Sequence, residues 1–297
     1  MPGRKKPGTL HLVATPIGNL EDITFRGLRT LKECELIAAE DTRRTRKLLC
    51  HYGISRPLVS YYEHNEAKRI PALLDALREG KDVALVSDAG SPGISDPGFR
   101  LVREAVGQGI PVTALPGPSA VTLALSVSGL PTDRFSFYGF LPRSASERKR
   151  LLEETAQVQH TVVFFESPHR LVKSMEEMHA FFGDRRAAIC RELTKRFEQV
   201  ERGTLAELIT KTSSRVPKGE FCIVLEGRGR KGLQAAEKED RLRKALNGLK
   251  QRRDQPLREA AREVALEHGL SKREVYQLGL QNKSGSSRKK RSSKSRG

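Results

Sequence analysis

Residues 82–98 read DVALVSDAGSPGISDPG, and the fold can be built outward from them. Asp82–Val86 is short, apolar and β-branched, as a strand buried on both faces should be. The twelve residues from Ser87 to Gly98 hold three glycines and two prolines. Glycine lets a backbone approach a ligand closely, and proline limits its motion. A long loop at the carboxyl end of a strand is where open α/β sheets receive ligands. Asp88 and Asp96 add carboxylates able to hold a ribose hydroxyl or an amino group. Asp96 is also placed to cap the next helix, with Pro97 in its first position.

Upstream, Thr9–Ala14 reads as a strand running into the turn Thr15-Pro16-Ile17-Gly18-Asn19. A helix over about 24–34 follows, with Phe25, Leu28 and Leu31 at helical spacing. Leu36–Ala39 is a short strand ending in Glu40-Asp41, and 68–79 a helix. Downstream, a helix over 99–106, a strand over 111–115 and a helix after Pro118 complete the alternation. Strands alternating with helices predict a parallel sheet in an α/β domain, residues 10–131. GxGxxG is absent, so the dinucleotide fingerprint is excluded. Pro116-Gly117-Pro118-Ser119-Ala120 is a third Gly/Pro loop at a strand's end, and three such loops point to one shared pocket.

The pattern restarts near Leu130–Asp133. Strands are expected at 135–141, 161–165, 187–191, 197–203 and 220–226, and helices at 146–157, 170–181 and 204–212. Two strands in succession predict a partly antiparallel sheet and a second α/β domain, residues 132–229. The cleft between the halves is the default ligand site. Residues 230–239 are rich in Gly, Lys and Glu and read as a linker. In 240–282, an amphipathic helix over 256–268 ends at Gly269, and Ser271-Lys272-Arg273-Glu274 is a capping box opening another. That pair reads as a helix-turn-helix, with a plain helical hairpin as the bland alternative. The start, 1–9, reads as a flexible basic arm. The end, 283–297, carries seven basic and no acidic residues and is expected to be disordered.

The 297 residues include 54 Lys and Arg against 36 Asp and Glu, a net charge of +18. Residues 231–297 alone hold 19 basic and 8 acidic residues, or +11, which points to a polyanionic partner. No apolar run approaches the ~20 residues that span a bilayer. MPGRKKPGTL has no apolar core of a signal peptide. The four cysteines are scattered with no CxxC, so neither a disulfide framework nor a zinc site is indicated, and a reducing cytoplasmic setting is expected.

VATPIGNLEDIT, LIAAEDTRRTRKLL, VALVSDAGSPGISDPG, LPGPSA, GLPTDRF and GFLPR together resemble the motif set of the tetrapyrrole methylase superfamily. FFESPHRL, CRELTK and KGEFCIVLEG extend the resemblance to the ribosomal RNA small subunit methyltransferase I family, over about residues 10–230. The segment 240–282 resembles that family's C-terminal extension. The resemblance implies two α/β domains holding S-adenosylmethionine folded in the cleft between them. It implies 2′-O-methylation of a cytidine in the decoding region of 16S rRNA, on the assembled small ribosomal subunit, by a homodimer. No metal is expected, because no His/Cys/carboxylate cluster in the sequence has ligand spacing. By motif, the cofactor is expected against Pro16, Gly18, Asp88, Ala89, Gly90, Ser119, Ala120, Phe140, Leu141 and the strand end near Arg191.

Methyl transfer from a sulfonium is an in-line displacement, so positioning supplies much of the rate. The weakly acidic 2′-hydroxyl also benefits from a base. Glu40, Asp41, Asp88, Asp96, Glu166, His169 and Glu192 stand at strand ends or in adjacent loops. His169, Glu166 and Asp88 are the foremost catalytic candidates. His169 follows Pro168 at an expected helix start, which would keep its imidazole neutral; a histidine satisfying local hydrogen bonds is the bland alternative. Two rival functions fit part of the pattern. A methyltransferase acting on a small tetrapyrrole precursor would share the fold but leave the basic C-terminal region without a role. A helix-turn-helix regulator would need base readout, for which Lys272, Arg273, Tyr276 and Gln277 are meagre.

Overall fold

The computed structural model describes residues 6–252 and 254–280, with the backbone alone over 230–240. Two compact units emerge, residues 1–227 and 228–297. Positions 1–5 and the tail 283–297 lie outside the described residues.

The first unit contains two five-stranded sheets. In the first sheet β1 (Leu10–Val13), β2 (Leu36–Ala39), β3 (Leu58–Ser60), β4 (Val83–Val86) and β5 (Val112–Leu115) are all parallel, in the order β3-β2-β4-β1-β5. Alternate side chains serve opposite faces, as strand geometry requires. Leu10, Ala38, Val83 and Leu85 pack on α3 (Glu66–Arg78) and α4 (Phe99–Gly107). Val13, Ile37, Ala84 and Val86 pack on α1 (Phe25–Glu33) and α2 (Thr42–His51). Thr24 caps α1 and Asp41 caps α2 through their side chains.

The second sheet joins β6 (Phe135–Phe140), β7 (Thr161–Glu166), β8 (Arg186–Arg191), β9 (Gln199–Thr204) and β10 (Phe221–Leu225) in the order β6-β7-β10-β8-β9. Only β6 and β7 pair in parallel; the other pairings are antiparallel. The mixed sheet expected from successive strands is therefore present. One face carries α6 (Ala145–Ala156), α7 (Leu171–Phe182) and α8 (Leu205–Ser213). The other carries α5 (Ala120–Ser128), whose Val121, Ala124 and Leu125 bury against Val163, Ala188 and Val224. A boundary at 131 thus separates the sheets but not the cores, because α5 precedes it in sequence and packs beyond it.

Four local readings need correction. Residues 230–239 belong to helix α9 (Gly229–Gln251) and are not an extended linker; Lys, Glu, Gln, Leu and Ala are strong helix formers and outweigh Gly232. The arm over 1–9 is pinned at its end, since Gly8 N donates to Leu77 O and Thr9 N to Asp82 Oδ1. Asp96 does not cap α4, because the cap is Gly98, which turns the chain at φ +149° where a Cβ would lie 3.1 Å from Leu85 Cδ2. Helix α2 and strand β3 have no counterpart in the periodicity: α2 carries four Lys or Arg among its ten residues, and β3 has three residues.

In the second unit, α9, α10 (Leu257–His268) and a helix over 272–280 enclose Ala245, Leu249, Ala261, Val264 and Val275. Gly269 adopts the left-handed conformation that ends α10, and Ser271 and Glu274 form the expected reciprocal cap.

Candidate functional site

The carboxyl ends of the first sheet and the edge of the second enclose a cavity of about 380 Å³. That volume lies within the ~300–1,000 Å³ of small-molecule sites. Two loops of the first sheet are stitched together at its floor. Thr15 and Gly90 exchange backbone hydrogen bonds of 2.9 Å each way, and Thr15 Oγ1 donates to Ser87 O at 3.0 Å. Gly90 sits at φ +85°, a conformation that L side chains rarely adopt. From behind, buried Glu66 of α3 accepts the Gly98 N–H at 3.2 Å, fixing the far end of the 87–98 loop. Ser95, Glu192 and Thr194 are the described non-glycine residues with positive φ, and all three lie in loops bordering this region.

Charge on the cavity wall is lopsided. Five carboxylates, Glu40, Asp88, Asp96, Glu166 and Glu220, line it beside a single guanidinium, Arg44. Glu40 Oε2 accepts the Asp88 N–H at 3.0 Å, Asp88 Oδ1 accepts the Asp41 N–H at 3.0 Å, and Arg44 reaches Asp88 Oδ2 at 3.3 Å. Burial pushes the Glu40 carboxyl up from its ordinary range. Burial, reinforced by the Glu40 and Asp88 charges, raises Asp96 to about 7. Ile17, Val121 and Leu193 supply an apolar surface opposite these carboxylates. Such a wall suits a ligand with a flat apolar body and a positive centre.

The structure sorts the expected site residues. Asp88, Ala89, Gly90, Ser119, Ala120, Phe140 and Glu166 line the cavity. Of the first turn, Ile17 lines it, whereas Pro16 and Gly18 do not. Gly18 is required for another reason: a Cβ there would lie 2.2 Å from Lys195 Cγ, where the first sheet's turn meets the loop after β8. Leu141 points into the opposite core and is 2% exposed. Arg191 lines a separate small cavity and donates to Lys218 O at 2.6 Å.

Two of the three catalytic candidates lose their support. His169 is exposed in a turn outside the cavity lining, and α7 begins only at Leu171 with Arg170 as its cap. The helix-terminus argument for a neutral imidazole therefore does not apply. The Glu166 carboxylate is engaged inward, accepting from Ser174 Oγ at 2.6 Å and Ser167 N at 2.8 Å, with Arg170 Nε at 3.6 Å. It organises the start of α7. Arg44, Ile17, Leu193, Cys190 and Cys222 line the cavity without having been expected. Cys190 and Cys222 face each other across β8 and β10, and burial pushes both thiols up, so neither is a nucleophile.

A two-sheet unit with this cleft is the architecture of a methylase class. The family model described as Tetrapyrrole (Corrin/Porphyrin) Methylases matches residues 9–209, and one described as RsmI C-terminal HTH domain matches 234–283. A cobalt precorrin-4 methyltransferase of cobalamin biosynthesis superposes with a TM-score of 0.56 at 19% identity, covering 73% of this chain and 94% of that one. The native form of a uroporphyrin III C-methyltransferase from Thermus thermophilus gives 0.52 at 21%, covering 75% and 98%. At such identities these neighbours establish the fold. Among curated relatives, ribosomal RNA small subunit methyltransferase I of Halalkalibacterium halodurans is 48% identical over 280 residues, 93% of this chain and 96% of that protein. The Bacillus subtilis protein of the same name is 43% identical over 277 residues, 92% and 94%. That of Thermotoga maritima is 50% identical over 221 residues, 74% of this chain but 99% of its own length, which leaves no room for both units. The chain belongs to the ribosomal RNA small subunit methyltransferase I family.

Proposed function

We propose that this protein transfers a methyl group from S-adenosylmethionine to the 2′-hydroxyl of a cytidine in the decoding region of 16S rRNA, on the assembled small subunit. The observation that carries the cofactor reading is the cavity itself, whose lining sets five carboxylates and one guanidinium beside an apolar surface. Bound there, S-adenosylmethionine supplies an electrophilic methyl group on a cationic sulfur. Asp88 and Asp96 supply negative charge to hold that cation, and Ile17, Val121 and Leu193 a surface for its adenine. The bridge between Thr15 and Gly90 fixes the loop that orients it. Among the lining carboxylates Glu166 is engaged by Ser174 and Ser167 and Glu220 is paired with Lys195, so a proton from the acceptor hydroxyl is received among Glu40, Asp88 and Asp96. The family membership and the basic surplus support an RNA substrate, and we take the working unit to be a cytoplasmic homodimer.

The test is incubation with methyl-labelled S-adenosylmethionine and, separately, small subunits, deproteinised 16S rRNA and uroporphyrinogen. Label should enter the subunit RNA, and nuclease digestion should release a cytidine methylated on its ribose. Label in the tetrapyrrole, or on a base, would sink this reading.

Two further expectations arise here. His169→Ala should leave turnover within about threefold of wild type, because its side chain is not part of the cavity lining. A loss of ~10²-fold or more in steady-state rate would reinstate it as an acid–base group. Truncation after Gly227 removes 21 basic and 8 acidic residues along with the second unit. S-adenosylmethionine affinity should survive by calorimetry, while RNA affinity falls and its salt dependence flattens. An unchanged salt slope would confine RNA contacts to the first unit.

A further inference from the structure

Helices α1 and α2 bury side chains in the same core cluster, on one face of the first sheet. Because each follows a parallel strand, both begin at the sheet end that holds the cavity. Helix α2 carries Arg43, Arg44, Arg46 and Lys47 and no acidic residue. Arg43 and Arg44 pair with Asp41 and Asp88, and Arg44 reaches the cavity wall. Arg46 and Lys47 are exposed and have no ion-pair partner among the described residues. On α1, Arg26, Arg29 and Lys32 recur at every third position, which aligns them on one helical face. They are likewise exposed and have no such partner among the described residues. Phe25, at the start of α1, is 93% exposed.

A surface stripe of unpaired cations that ends at a cavity is the electrostatic footprint of a polyanion guided into that cavity. An exposed aromatic beside it is what stacking on an unpaired base requires. We propose that the α1–α2 face is an RNA-binding surface of the first unit: its cations track the phosphates of a single-stranded segment, and Phe25 stacks on one of its bases. The proposal rests on the RNA reading of the function and adds where the substrate lies. It also explains how a relative with room for only one unit could hold its substrate. A lipid surface is the other polyanion these charges could meet. It is disfavoured because the cation-bearing helices begin at the sheet end that holds a concave cavity of about 380 Å³, which a single strand can enter and a flat bilayer surface cannot.

The test uses the full chain. Arg46→Gln with Lys47→Gln, Arg26→Gln with Arg29→Gln, and all four together are compared with Arg78→Gln plus Arg103→Gln, on α3 and α4 across the sheet. Binding to a single-stranded 16S rRNA fragment is measured over about 50–300 mM salt, where single-stranded binding weakens with a slope of ~0.7 per phosphate neutralised. Each α1–α2 pair should lower affinity about five- to tenfold and the slope by about 1.4, and the quadruple variant should lower the slope by nearly 3. Phe25→Ala should cost about tenfold with no change of slope. S-adenosylmethionine affinity should not change in any of them. An unchanged slope in the quadruple variant, or an equal change in the α3–α4 control, overturns the assignment. Binding of the wild type to phosphatidylglycerol vesicles through the same residues, with RNA affinity unaffected by the variants, also overturns it. A wild type that binds no RNA at all fails the functional reading instead, so the two failures are distinguishable.

Discussion

Gly90→Val should weaken S-adenosylmethionine binding by at least 100-fold, about 2.7 kcal/mol, while the protein stays folded. The reason lies in the backbone. At φ +85° a β-branched residue is strained, yet the nearest atoms to a Cβ placed there are Ile17 Cγ2 at 3.7 Å and Pro118 O at 3.8 Å, ordinary contacts. The variant therefore has room but not the right torsion. Relief requires breaking the paired hydrogen bonds with Thr15, which moves Asp88, Ala89 and Ile17 together. Because the rest of the fold is untouched, the stability cost should stay near ~1–3 kcal/mol. Calorimetric titration with S-adenosylmethionine, alongside thermal unfolding, separates these effects. Wild-type affinity in a folded Gly90→Val protein would remove this loop from the cofactor site.

Asp96→Asn should have the second-largest effect, and its sign depends on what is measured. The folded-state pKa of Asp96 is raised to about 7 from an ordinary 3.8. The folded protein consequently binds this proton more tightly than the unfolded chain. Its contribution to stability is fully present below about pH 4 and is lost as pH rises through about 7. Asn, which never ionises, should remove that dependence and make the protein more stable at pH 8, by roughly 1–2 kcal/mol once solvent screening is allowed for. Ligand binding should move the opposite way. A cation in the cavity favours ionised Asp96, so wild-type affinity for S-adenosylmethionine should strengthen as pH rises through about 7. The variant should lose this dependence and bind about 10–100-fold more weakly at pH 8. Unfolding and titration at pH 5, 6, 7 and 8 decide the matter. A wild-type affinity independent of pH would show that Asp96 does not face the cofactor's charge.

The sequence by itself determined the two α/β halves, the strand-end loops and the helical C-terminal unit. Those features are local: an apolar strand such as Val83–Val86, a Gly/Pro loop after it, and a capping box at Ser271 each act within a few residues. It also pointed to one pocket formed by the strand-end loops, because βα loops border whatever lies beyond the strand ends; the motif resemblance narrowed this to residues such as Asp88, Ala89, Gly90, Ser119 and Ala120. Tertiary structure decided the rest. Whether Glu166 faces ligand or core depends on Ser174, eight residues away on α7, which draws its carboxylate inward. The motif resemblance implies a ligand contact at Gly18, and only the fold shows that the group approaching it is Lys195. Asp96 could have been a helix cap. Burial, reinforced by Glu40 from another segment and by Asp88 from the far end of the same loop, raises its carboxyl to about 7. Periodicity reports which face of an element is buried; which charges share a cavity is a property of distances between segments, and those exist only once the chain has folded.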